Sequence, residues 1–395
     1  MPGSKVLLDS ARRAVLGLTV ATATFAGAGC TAAADVPVPA ASLGSDFLAS
    51  PDAYDDQMFD VAAVERGAWA PTRYGTGDQR GTFNEVTPAK TSAALRLLSS
   101  DRPTKTYNLG ELLTNGFPVY KTSPPRMYEQ RLTVLGYTPP ASFAEGGGIL
   151  QTPTPLGDNR VSVHEERFPQ GYTYQLATQL DGLNHIGVGA TFYNGFQGPD
   201  IAEAYGTNKL GNEHMGPIVT RGVLLDVLGL KLASKEHSAL STSTDGHPVL
   251  RDDYRITVED LIAAADLGGI RRIEPGDVVL IRTGWNKIAR TDPERYLAKE
   301  PGIYLREARW LAAHRPAIIG SDTWALEVLG NPAVRAVYPV HQELIVKHGI
   351  RVGEGIITDE LAADGVYEFV YLYTPMNAKG ATASNTPPVA LAQPH

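Results

Sequence analysis

A chain of 395 residues with 43% hydrophobic and 20% charged side chains has enough apolar material for a packed globular body, as one large domain or two ordinary ones. Its net charge of −8 argues against a nucleic-acid-binding surface or a polybasic membrane patch. The single cysteine excludes an intramolecular disulfide framework and a cysteine-rich zinc site, while 40 glycines and 28 prolines point to many turns rather than a helical bundle.

That cysteine is informative by position. Residues 1–30 run from Lys5, Arg12 and Arg13 through an apolar stretch, Ala14 to Gly29, to Gly27-Ala28-Gly29-Cys30. A basic start, an apolar run short for spanning a bilayer, and small residues before a cut are the pattern of an export signal. Ala28-Gly29-Cys30 resembles a bacterial lipobox with Cys30 as the lipidated residue, although Gly27 stands where leucine is usual. The expectation is an exported, cell-surface lipoprotein of a bacterium. A plainly secreted protein is the alternative, and Arg12-Arg13 leaves the export route open. The membrane would be reached only through this anchor. Residues 31–58 follow as a flexible tether, rich in alanine, proline and serine near its start.

The folded body is expected over residues 59–376. Thr87-Pro88 marks a capped helix start. Residues 104–170 read as short strands and long loops, and Ala190–Gly195 as a short strand ending in a turn. Ile218–Val227 reads as a buried strand with a glycine break. Thr257–Leu267 reads as an amphipathic helix with Thr257 as N-cap. Pro275-Gly276-Asp277 feeds Val278–Ile281, which is apolar on both faces as a strand covered on both sides must be. Helix 305–314, strand 316–322, helix 341–348 and strand 366–372 complete a mixed α/β (α+β) domain on a substantial sheet. No Gly-x-Gly-x-x-Gly follows a strand and no Gly-x-Ser-x-Gly occurs, which argues against a dinucleotide fold and a serine nucleophile. Residues 377–395, rich in alanine, threonine and proline, read as a disordered tail.

Most chemistry is concentrated in Tyr172–Gly187. Gln175, Gln179 and Asp181 share one parity and would face one side of an extended segment, and a Gly-Leu-Asn step carries the chain to His185. Carboxylate with imidazole is a ligand set for a divalent metal. The segment resembles the signature of the cyclase family of metal-dependent hydrolases, which includes bacterial kynurenine formamidase and isatin hydrolase, where it reads His-x-Gly-Thr-His-x-Asp-x-x-x-His. Gln175, Ala177-Thr178, Gln179, Asp181 and His185 stand at its positions, so two family histidines are glutamine here. Further blocks agree: Gly77-Asp78-Gln79-Arg80-Gly81-Thr82-Phe83-Asn84, Tyr193-Asn194-Gly195, Arg282-Thr283-Gly284-Trp285 and Gly320-Ser321-Asp322-Thr323, over roughly residues 70 to 372.

The resemblance implies a single swivelling β/α/β-type catalytic domain over 59–376 that binds divalent metal; where the family has two metals, the replacement of two histidines by Gln175 and Gln179 leaves one expected here, manganese or zinc. It implies Asp181, His185, His341 and Glu354 as ligands, with Gln175 and Gln179 either completing the shell or binding substrate. Tyr193 and Trp285 are further candidates to line the pocket. Asp181 and His185 are the candidates for catalysis. Asp322 reads as structural, and Glu343 as a carboxylate pointing away from His341. Of the other histidines, only His214 remains a pocket candidate.

The function implied is hydrolysis of an amide, lactone or ester of a small, aromatic or cyclic substrate by metal-activated water, as in an arylformamidase. Two other readings stay open: a degenerate, surface-tethered binding protein, and a metal-free lyase or isomerase. Partners are a small molecule and, by analogy with the family, a second copy or larger homo-oligomer.

Overall fold

The structure, a computed structural model, describes residues 50–331 and 336–394. The expected export signal, Cys30 and residues 31–49 of the tether lie outside them. Among the described residues, nine strands form one mixed sheet. Their order is Lys105–Asn108, Val389–Ala392, Glu368–Tyr373, Ile218–Asp226, Val278–Arg282, Ile318–Ser321, Arg351–Glu354, Gln179–Asp181 and Ala383–Ser384. The four central strands, from Ile218–Asp226 to Arg351–Glu354, run parallel. The flanking ladders are antiparallel. The fold is therefore the mixed α/β class that the sequence implies.

The apolar run at Val278–Arg282 is explained by burial on both sides. Val279 and Ile281 pack into a core shared with the helices Val258–Leu267 and Leu305–Ala313, while Val278 and Leu280 pack into a second core with Phe83, Phe369 and Tyr371. Thr257 caps its helix reciprocally with Asp260, which fixes where that layer begins. Gly222 does not break the Ile218–Asp226 strand: a Cβ there would lie 2.2 Å from the Phe369 ring, so the glycine admits that ring from the next strand. The strands Arg131–Leu135, Ile149–Thr152 and Val163–Arg167 form a separate three-stranded sheet.

Three expectations are corrected. Residues 377–394 are not a tail: Ala383–Ser384 and Val389–Ala392 are strands of the main sheet. Ala383, Ala390 and Ala392 are buried, and their small side chains suit tightly covered strands that composition alone reads as solvated. Residues 50–58 are not free tether. Asp55 meets Arg309 at 2.8 Å and Asp56 meets Arg255 at 2.6 Å, so charge pairing docks a segment without apolar periodicity. Tyr193–Gly195 is a short 3-10 turn with Asn194 at φ 57, not the end of a strand.

Candidate metal centre

Strand alternation builds half of the centre. Gln179 pairs across the ladder with Glu354 and Leu180 with Gly353, so Gln179, Asp181 and Glu354 share one sheet face while Leu180 enters the core behind. Asp181 is held from its other side by Ala383, and the Gly182 N–H donates to the Thr382 carbonyl at 2.7 Å. The former tail thus clamps the site strand. Helix Pro339–His341, with the π-helical turn Gln342–His348 behind it, brings His341 over the same face. Gln175 arrives differently. Ala177 at φ 51 breaks the extended run, and Gln175 lies outside the strand, so parity does not place it.

Ligating atoms of Asp181, His341 and Glu354 lie within 4.8 Å of one another, all three residues buried. His341 Nε2 is 3.1 Å from Glu354 Oε1 and 3.6 Å from Asp181 Oδ2. Its Nδ1 meets Glu327 Oε1 at 2.6 Å, and Glu327 also accepts from the backbone N–H groups of His341 and Val340. A carboxylate behind the distal ring nitrogen is the usual support for a metal-binding imidazole. Both carboxylate oxygens of Asp181 are buried without a hydrogen-bond partner. Asp181, Glu354 and Glu327 thus crowd carboxylates around one imidazole. Burial pushes the Asp181 carboxyl up to about 6, with the Glu354 charge adding to it and the nearby imidazoles opposing it. Burial alone would lower His341, but its bonds to Glu327 and Glu354 raise it well above an ordinary imidazole. The His341 shift shows that the surrounding carboxylates favour a positive charge, whereas the Asp181 shift is chiefly the cost of burying its own charge. Two carboxylates and one imidazole, with orphaned oxygens on Asp181, fit a divalent cation with a coordination position to spare.

His185 stands beside this trio, its Nε2 3.9 Å from Asp181 Oδ2. Its Nδ1 is 3.0 Å from the Gln175 amide nitrogen, which also donates to the Thr382 carbonyl. Burial holds His185 below the ordinary imidazole range, with the Asp181 charge opposing and those of His341 and Arg126 reinforcing. Gln179 donates through its amide to Glu354, leaving its own oxygen buried and unpartnered. A cavity of about 140 Å³ opens onto these groups. Gln175, Gln179, His185, His341 and Glu354 line it, together with Tyr120, Arg126, Trp324 and Tyr338.

Two pocket candidates are corrected. Tyr193 is fully buried, and its hydroxyl donates to Asp78 at 2.7 Å beside the Thr72 hydroxyl. Trp285 is fully buried, its indole N–H on the Tyr296 carbonyl. Both rings are packing groups. Asp322 accepts from the Thr283 and Gly284 backbone and pins that turn. Glu343 faces Lys347, His348 and Arg309 instead of the centre. His214 lies against Glu213. Sequence reasoning missed Glu327, whose one available signal is a lone carboxylate in the apolar run Ala325-Leu326-Glu327-Val328-Leu329. It also missed Arg126 and Tyr338, which sit in loops without periodicity.

Residues 107–328 match the family model described as Cyclase. No curated protein matches the chain. Among solved structures, that of a novel cyclase superposes with TM-score 0.63 at 28% identity, over 80% of this chain and 97% of that one. Isatin hydrolase A from Labrenzia aggregata, bound to benzyl benzoate, gives 0.48 at 18% identity, over 73% and 94% of the two chains. Isatin hydrolase A from Ralstonia solanacearum gives 0.47 at 17%, over 73% and 92%.

Proposed function

The chain belongs to the cyclase family, and from that premise we propose that it is a metal-dependent hydrolase opening an amide, lactone or ester bond of a small ring-bearing substrate. One observation carries this reading. Asp181, His341 and Glu354 converge, with the Asp181 oxygens buried and without a hydrogen-bond partner.

These three residues would hold a divalent ion, manganese or zinc. When bound, such an ion lowers the pKa of water and polarises a carbonyl oxygen. The remaining roles belong to the chain itself. Glu327 fixes the His341 ring so that Nε2 faces the ligand carboxylates. Gln179 orients Glu354. Gln175 engages Nδ1 of His185 and leaves Nε2 toward Asp181. His185 is kept neutral by burial, and because Nδ1 accepts from the Gln175 amide its ring proton sits on Nε2, from which it is suited to donate a hydrogen bond to the substrate carbonyl oxygen. Trp324 and Tyr338 line the pocket and limit solvent around the reacting bond.

The test is metal content of the purified protein by mass spectrometry, beside an Asp181→Ala/His341→Ala double variant. Near-stoichiometric manganese or zinc in the parent and none in the variant is the expected result. A parent that takes up neither ion after loading would overturn the mechanism. A metal-free binding protein is the second reading. It is favoured by Gln179, which spends its amide on Glu354 where the resembling signature carries histidine. Turnover that survives a strong chelator would select a metal-free lyase or isomerase instead.

Export and anchoring through Cys30 belong to the same proposal, supported by the order of basic, apolar and small residues in 1–30. The mass of the mature N-terminal peptide tests them. Assembly with a second copy is proposed as well. It is supported by Leu150, Leu156 and Val163, which are exposed on and beside the three-stranded sheet, and light scattering tests it.

A further inference from the structure

The pocket holds one charged side chain that neither the metal site nor the fold uses. Arg126 lines the cavity together with His185 and Gln175, on the loop that precedes the Arg131–Leu135 strand. Among the described residues its guanidinium has no carboxylate and no hydrogen-bond partner. Most other arginines at this depth are spent. Arg255 is paired with Asp56 and Glu307, Arg282 with Asp226 and Asp359, and Arg295 with Asp252. A half-buried guanidinium gives up hydration, and in a pocket that also contains carboxylates the natural outcome is an ion pair. Here Asp181 and Glu354 turn toward His341 instead, and Arg126 stays available to a ligand.

The surroundings define the ligand's body. Tyr120 stacks on Trp324 with centroids 5.3 Å apart and planes at 22°, and Tyr338 meets Tyr120 edge-on at 6.4 Å. Tyr338 in turn stands edge-on to His341 at 5.4 Å, so an aromatic wall runs from the pocket mouth to the ligand cluster. The cavity of about 140 Å³ is close to the ~150 Å³ that holds one benzene ring. One ring fits along this wall, with an anionic substituent at Arg126.

We propose that Arg126 is a specificity-determining residue that binds a carboxylate on a single-ring substrate. The preferred class is then an aryl amide or ester acid, not a neutral lactam. The planar fork of arginine matches a carboxylate with two parallel bonds, which a lysine does not reproduce. The inference deepens the hydrolase reading and rests on it for the identity of the scissile bond, but not for the anchor itself.

The experiment compares the full-length parent with Arg126→Gln and Arg126→Lys. Binding of benzoate and of its neutral counterpart benzamide is followed by titration calorimetry on chelator-treated protein, so that no metal captures the carboxylate. Benzoate affinity is expected to fall about tenfold or more in Arg126→Gln and less in Arg126→Lys, with benzamide unchanged. A second arm measures turnover of formanilide with and without a ring carboxylate by the manganese-loaded proteins. KM should rise about tenfold for the acid alone, with kcat held. Equal losses for benzoate and benzamide, or no benzoate binding by the parent, would overturn the anchor. If neither formanilide is turned over while benzoate discrimination depends on Arg126, the anchor stands and the hydrolase reading falls.

Discussion

Glu343 lies two residues beyond His341 on the π-helical turn, its side chain fully buried. Burial alone would raise its carboxyl, but His348, Lys347 and Arg309 surround it, and the net effect lowers it from 4.5 to about 2. A carboxyl whose folded pKa is depressed contributes stability above its unfolded value, and that stability is lost as pH falls toward the folded value. The gap between 4.5 and about 2, at about 1.4 kcal/mol per pH unit, amounts to roughly 3 kcal/mol at neutral pH. Part of it is screened by solvent on the Lys347 and His348 side, each 34% exposed. About half of the remainder should be gone by pH 3. The assay is urea unfolding of the parent and Glu343→Gln at several pH values between 7 and 3, both chelator-treated so that metal binding does not enter. The stability difference should be largest above pH 5 and shrink steadily below it. A difference that stays constant across this range would refute the reasoning, because it would mean that Glu343 carries no proton linkage.

Three further outcomes follow from the geometry. Glu327→Gln removes the negative charge behind His341 Nδ1, and manganese or zinc affinity measured by chelator competition should fall about 10- to 100-fold without loss of fold. Truncation after residue 376 deletes Ala383–Ser384 and Val389–Ala392, the ladder partners of Asp181 and of the Glu368–Tyr373 strand. The truncated chain should lose cooperative thermal unfolding, and an unchanged melting curve would mean that these strands are dispensable. Phe369→Ala empties the space over Gly222 in the second core and should cost about 3–5 kcal/mol, read from the denaturant midpoint.

Local pattern made much of the fold legible. The β-branched run at Val278–Ile281, the Thr257 cap and the shared parity of Gln179 and Asp181 depend only on near neighbours in sequence, and each corresponds to an observed element or face. Asp181, His341 and Glu354 entered through ordered blocks of family resemblance, since no spacing rule links positions so far apart. The remainder required tertiary structure because it depends on long-range pairing. Val389–Ala392 is four apolar residues within an alanine-, threonine- and proline-rich end, and it becomes a strand only by pairing with segments near residues 106 and 371 that are remote in sequence. Tyr193 and Trp285 are aromatic in any context, and only packing decided that they are core. Glu327 is one carboxylate among many until the chain folds it behind His341, and Arg126 is one arginine among many until the chain places it in the pocket beside His185 and Gln175. The sequence by itself determined which faces exist and which residue types they present. The tertiary structure decided which of those charges are spent on one another and which are left for a ligand, because that outcome depends on distances between segments that the chain order does not encode.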